Sequence, residues 1–267
     1  MMLGAATRSE LYRTLRNGRP LFWAYFAFPL LALLLAVVSE VQLAGAPGGR
    51  PLADIAARAL GAAGNPIVHL FYAVGAATLF AGEYRWETWR LLVPRNSRAN
   101  IVGAKFVVFA LFVSISLAAG LVADLLPRGI GQALSASSTA WELSPGQLGR
   151  LAIAFAASLV EAMLIGSIAA LVAVATRAFT PAILLPFLLS LGISFTLAYS
   201  APSAKLDLLL LLPPHAADAI RSWAAAGPDG AVSASVAWSA TAALAAWLTL
   251  LVVAATMIFQ RQDLAKE

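Results

Sequence analysis

The sequence contains no cysteine and only two histidines, and charged residues make up 12% of its 267 positions. The absence of cysteine excludes disulfide bonds and thiolate-bound metals. Two histidines also argue against a multi-histidine metal site, so we predict no metal site. Soluble domains carry about a quarter charged residues. The shortage of charge therefore argues against a soluble globular protein.

Catalytic motifs are also missing. The sequence has no G-x-x-x-x-G-K-[ST] loop, no H-E-x-x-H, no G-x-S-x-G and no paired intramembrane aspartates. Without an amide cradle and its lysine, a P-loop cannot hold nucleotide phosphates. We predict that the chain is not an enzyme and binds no cofactor itself. A net charge of +5 is typical of the loops of a membrane protein, and we predict no nucleic-acid partner.

Long apolar runs dominate the sequence, and 61% of its residues are hydrophobic. A transmembrane helix needs about 20 apolar residues. Six runs meet this length: 20–43, 64–82, 104–126, 149–176, 180–200 and 233–259. We predict an all-α polytopic membrane protein with one transmembrane domain over 1–267.

A further apolar run at 206–212 is too short to cross a bilayer, and it ends at two prolines. We predict an external re-entrant or surface hairpin over 201–232, with a strained seventh span as the alternative. The other external loops are rich in Ala, Gly, Pro and Ser, so we expect ordinary connections there.

The distribution of basic residues predicts the orientation. An even number of spans places both termini on one side of the membrane. The tails, the segment 83–105 and the turn near Arg177 hold twelve of the 18 Lys and Arg residues. By the positive-inside rule, we expect this side to be cytoplasmic, in the cell inner membrane.

The segment after the second span has the pattern of a short amphipathic helix that ends at Pro94. Its apolar face carries Trp86, Trp89 and Val93, and its charged face carries Glu83, Glu87 and Arg90. We predict a helix along the membrane surface. Two interpretations stay open: a loop that joins two spans, and a docking helix for a cytoplasmic partner.

The N-terminal residues 1–19 predict a second interfacial helix. Thr7 and Glu10 have the spacing of a capping box, and Leu11 and Leu15 share a face. Asn17-Gly18 gives a stop before the first span.

Two features inside the predicted spans stand out. Glu161 is a carboxylate deep in span four, which is costly unless it is paired, protonated or hydrated. His69 in span two is a possible partner of Glu161. Two roles for Glu161 stay open: a hydrogen bond that joins two helices, and a ligand for the substrate. Span four also carries small residues at every fourth position, a pattern that favours close helix packing over a pore lining. These are Ala154, Ser158, Ala162, Gly166 and Ala170.

The segment "EYRWETWRLLVPRNSRANIVGAK" resembles the corresponding segment of type-2 ABC transporter permeases. The matching residues are Glu83, Thr88, Leu91, Leu92, Ser97, Arg98 and Lys105. Glu87 departs from the pattern, because glycine is frequent there in the family. The ending "FQRQDL", at 259–264, is also similar to the end of the family's sixth span.

The resemblance implies a dimer of six-span permease subunits, homo- or heterodimeric, with two copies of a cytoplasmic ABC ATPase. That partner would bind ATP and Mg²⁺ and dock on a coupling helix within 83–104. The implied docking residues are Glu83, Arg85, Trp86, Glu87, Thr88, Trp89, Arg90 and Arg98. The resemblance implies export, and the apolar spans favour a hydrophobic or amphipathic substrate.

Two alternatives from other classes remain. One is an ion- or proton-coupled secondary transporter that uses Glu161. The other is a membrane immunity or scaffold protein that transports nothing.

Overall fold

The computed structural model describes residues 3–16, 18–43, 52–85, 97–134, 145–199, 209–226 and 232–262. Within these ranges the chain forms helices and no strand, so the all-α class is confirmed. The helices are α1 (Leu3–Arg16), α2 (Gly18–Leu43), α3 (Leu52–Ala62), α4 (Pro66–Phe80), α5 (Gly82–Arg85), α6 (Arg98–Leu134), α7 (Pro145–Thr176), α8 (Phe179–Tyr199), α9 (Pro213–Ala226) and α10 (Ala234–Arg261).

Six of the described helical segments are long and apolar enough to cross a membrane, as predicted. They are Leu21–Ser39, Pro66–Tyr84, Arg98–Ile130, Pro145–Thr176, Phe179–Tyr199 and Ala234–Arg261. The third and fourth extend beyond the predicted apolar runs, because polar residues at their ends are helical as well. The chain is thus a multi-pass membrane protein.

Aromatic side chains fill the contact between α2 and α6. The Tyr25 ring stacks on Phe112, with 5.2 Å between ring centroids, and it also contacts Phe109. Gly75 on α4 gives this ring room, since a Cβ there would lie 2.6 Å from Tyr25 Cζ. These contacts join the first three spans into one core.

All five small residues of the α7 stripe are buried inside the single chain. A Cβ on Gly166 would lie only 2.1 Å from Phe109 Cε1 on α6. At the other end of the stripe, Ala154 packs with Leu60 of α3 and Ala224 of α9. The stripe therefore serves packing within the subunit along much of α7.

The predicted ordinary connection before the second span was wrong in part, because α3 lies there. Its residues Ala56 and Leu60, together with Ala63 just after it, are buried at helical spacing. Packing against α6 and α7 stabilises α3 as a helix, although the short Ala-rich sequence by itself predicts a helix only weakly.

The predicted hairpin region contains α9; residues 201–208 and 227–231 lie outside the described residues. This helix packs against α7 and α10 and buries Ala216, Ala217 and Ile220. Pro213–Ala226 within this region is therefore a packed helix, and the re-entrant hairpin stays a prediction.

The N-terminal helix is present as α1, but the predicted capping box was wrong. The helix already begins at Leu3, and the Thr7 hydroxyl donates to the Leu3 carbonyl inside it. The buried face carries Ala6, Glu10 and Thr14, whereas Leu15 is exposed. Buried ion pairs, described below, explain why α1 packs through a polar face.

Candidate functional site

Four charged side chains meet in the anchor cluster, which we define as Glu10, Arg13, Glu83 and Lys105. Lys105 is fully buried, and its Nζ lies 2.9 Å from Glu10 Oε1 and 3.0 Å from Glu83 Oε1. It also donates to the Leu79 carbonyl, while Arg13 pairs with both carboxylates. Two cations and two anions thus join α1, α5 and α6, at the end of α4.

The electrostatics of the anchor cluster are balanced. Burial raises the pKa of the Glu10 carboxyl, but Lys105 and Arg13 lower it by more, so its pKa lies below the usual value. Burial lowers the pKa of Arg13, and Glu10 and Glu83 together raise it by more. Removing one member would leave an uncompensated buried charge, which costs about 3–5 kcal/mol.

A second set of contacts fixes Arg98 to the end of α10. Its Nη1 donates to the carbonyls of Phe259, Gln260 and Gln262, at 3.3, 2.7 and 2.6 Å. A cation at a helix C-terminus satisfies carbonyls that lack an intrahelical partner and also complements the helix dipole. The Gln262 side chain accepts from the Tyr84 hydroxyl at 2.8 Å. The ends of spans two, three and six are therefore tied together.

These contacts locate the predicted docking residues. Glu83 is buried and Arg98 is partly buried, and both make contacts with the helix bundle. Arg85 ends α5. The other predicted docking residues, Trp86, Glu87, Thr88, Trp89 and Arg90, lie outside the described residues, as does most of the predicted surface helix. Of the predicted residues, the structure brings Glu83 and Lys105 together.

Glu161 belongs to a second group, the Glu161 cluster, which we define as His69, Glu161, Ser190, Asp218 and Arg221. Glu161 Oε2 lies 2.6 Å from Arg221 Nη1, and both side chains are buried. Arg221 Nη2 also pairs with Asp218 Oδ1 at 2.6 Å. Burial lowers the pKa of Arg221, but Glu161 and Asp218 raise it by more, so the guanidinium stays charged.

The imidazole of His69 joins two more spans to the Glu161 cluster. Its Nδ1 lies 2.6 Å from Ser190 Oγ on α8, and its Nε2 lies 3.6 Å from Glu161 Oε1. His69 Nε2 and Glu161 Oε1 are buried and have no hydrogen-bond partner among the described residues. The structure thus places the two predicted polar residues side by side, separated by slightly more than a hydrogen bond.

Helical rise gives the position of the Glu161 cluster along the bundle. Glu161 lies about 22 Å along α7 from Thr176, and His69 about 16 Å along α4 from Phe80. Gly64 allows the approach of α9, because a Cβ there would lie 2.9 Å from Arg221 Nη2. The cluster therefore lies inside the bundle, toward the end opposite the termini.

Sequence reasoning missed Arg221, Glu10 and Lys105 as members of charged clusters. Arg221 was placed in an external hairpin, yet α9 packs against span four. The available signal was Glu161 itself, since a carboxylate inside a span is costly and a cation is one partner that lowers this cost. Within the described ranges, no group of three His, Asp or Glu side chains could hold a metal ion.

No protein-family model matches the chain, and no curated protein matches it.

Proposed function

We propose that the chain is the membrane permease subunit of an ATP-binding-cassette transporter, working as a dimer with a separate cytoplasmic ATPase. One observation carries the proposal. Both ends of the segment after span two are fastened to the bundle, through Glu83 to Lys105 and through Arg98 to the end of α10. A partner that pushes on this segment moves the ends of spans two, three and six with it.

The mechanism follows from the stiffness of these contacts. Buried, charge-assisted hydrogen bonds are short and strong, so they transmit displacement instead of yielding to it. In this proposal Glu83 and Arg98 act as positioning residues, while the side chains between them contact the ATPase. The cargo is a hydrophobic or amphipathic molecule, in keeping with the apolar spans.

The first test is purification from membranes in mild detergent. We expect a nucleotide-binding subunit to co-purify, and the chain to stimulate its ATPase activity. Replacing Arg98 with Gln should reduce this stimulation several-fold while leaving the subunit bound. Arg261→Gln is the matched control, since it removes an exposed charge from the same end of the bundle. Purification without any nucleotide-binding subunit contradicts the proposal.

A proton-coupled secondary transporter is the second candidate. The unsatisfied Glu161 Oε1 and His69 Nε2 favour it, because two facing buried groups 3.6 Å apart offer a place for a proton. Transport driven by a proton gradient without an ATPase, and lost in Glu161→Gln, would support this candidate over the first.

A further inference from the structure

A cavity of about 390 Å³ lies between α2, α3, α4 and α6, and its lining includes no member of the two charged clusters. One wall is apolar and includes Phe28, Leu31 and Leu35 of the first span. Leu31 and Leu35 are also largely exposed on the outside of the bundle. The cavity therefore opens toward the lipid phase.

The opposite wall of the cavity is charged. Arg58 of α3 and Arg128 of α6 line it, together with Asp124. Asp124 pairs with Arg128 Nη2 at 3.0 Å, which leaves the lining with a net positive charge. Arg128 Nε is buried and has no hydrogen-bond partner among the described residues. A buried guanidinium N–H without an acceptor is costly, so this site is suited to an added anion.

The position of Arg128 along α6 places these charges at the membrane surface. Lys105 of the anchor cluster and Arg128 lie on the same helix, about 34 Å apart along it. The hydrocarbon core of a bilayer is about 30 Å thick. If Lys105 marks one interface, Arg128 therefore reaches the headgroups of the other, on the side of α3 and α9.

We propose that this cavity binds an anionic phospholipid of the bilayer. The phosphate accepts hydrogen bonds from Arg128 and Arg58, and one acyl chain lies against Phe28, Leu31 and Leu35. Charge and shape both select this occupant. A zwitterionic lipid brings its own cation next to the guanidinium groups, and a small soluble anion leaves the apolar wall uncovered. The lipid fastens α3, the short helix that covers α6 and α7, to the first span.

The test uses the full chain in detergent, titrated with phosphatidylglycerol or phosphatidylcholine and followed by native mass spectrometry and thermal unfolding. We expect phosphatidylglycerol to bind more tightly and to raise the unfolding temperature more. In the double variant Arg58→Gln/Arg128→Gln, phosphatidylglycerol affinity should fall about tenfold. The control Arg150→Gln removes an exposed charge from the start of α7, outside the cavity, and should bind like the wild type.

A second variant keeps the charges and blocks the apolar wall. Ala32→Trp should fill the cavity and lower phosphatidylglycerol affinity, with Arg58 and Arg128 intact. Inorganic phosphate alone should leave the unfolding temperature unchanged. The proposal is overturned if the double variant retains the wild-type lipid preference, if Ala32→Trp binds phosphatidylglycerol as before, or if inorganic phosphate reproduces the shift.

Discussion

At the residue scale, the most consequential contact is the pair of Glu161 and Arg221. Each charge alone would be costly at its depth, and together they satisfy one another across α7 and α9. Asp218 shares Arg221, but its side chain is 61% exposed, so water already solvates it. The two carboxylates that hold one guanidinium are therefore far from equivalent.

This difference gives a prediction. Replacing Glu161 with Ala should lower the free energy of unfolding by about 3–5 kcal/mol, because Arg221 is left buried without its main partner. Replacing the exposed Asp218 with Ala should cost less than about 1 kcal/mol. The double variant Glu161→Leu/Arg221→Met should recover much of the loss, since it removes both charges. Chemical denaturation in detergent measures all three, and equal losses for Glu161→Ala and Asp218→Ala would contradict the assignment.

At the element scale, α7 is the helix against which most of the others pack. It contacts α4, α6, α8, α9 and α10, as well as α3. Its small residues make these contacts possible, and Gly166 is the tightest case because the Phe109 ring lies directly over it.

The Gly166 contact can be tested with matched glycine substitutions. Gly166→Ala should destabilise the protein by about 1–3 kcal/mol, because the new methyl group collides with a packed ring. Gly192→Ala on α8 is the control, since a Cβ there meets nothing within 4 Å. The control should be neutral or slightly stabilising, in line with the helix propensity of alanine. The measurement is thermal unfolding of both variants. If Gly166→Ala is neutral, α6 and α7 can move apart without loss of stability, and the prediction is contradicted.

The packing of α1 should depend on pH. The pKa of Glu10 is lower in the folded protein than its usual 4.5, so its ion pairs contribute fully above pH 4.5. That contribution is lost as the pH falls through the lowered folded pKa, because protonation removes the charge that faces Lys105. The hydrogen-exchange protection of α1, measured relative to the intrinsic exchange rate at each pH, should therefore fall under acid. In Glu10→Gln, exchange should be fast at neutral pH and should lose this acid response; an unchanged response would assign it to another group.

At the scale of the whole molecule, the apolar runs predicted all six membrane-spanning helices, because burial in lipid demands a long uninterrupted sequence. The short helices α3 and α9 are stabilised by packing against other helices, and their local sequence says little about those tertiary contacts. The same holds for the charged clusters. Glu161 and His69 could be proposed as neighbours, but Lys105 and Glu10 lie 95 positions apart and meet only through the fold.

The attachment of Arg98 to α10 has a consequence for biogenesis. Its carbonyl partners follow it by more than 160 positions, so they leave the ribosome long after Arg98 has reached the membrane. Until α10 inserts, the segment after span two is fastened at one end only. A nascent chain arrested before its sixth span would therefore lack the carbonyl groups that hold Arg98, and spans two and three would not yet be tied to span six.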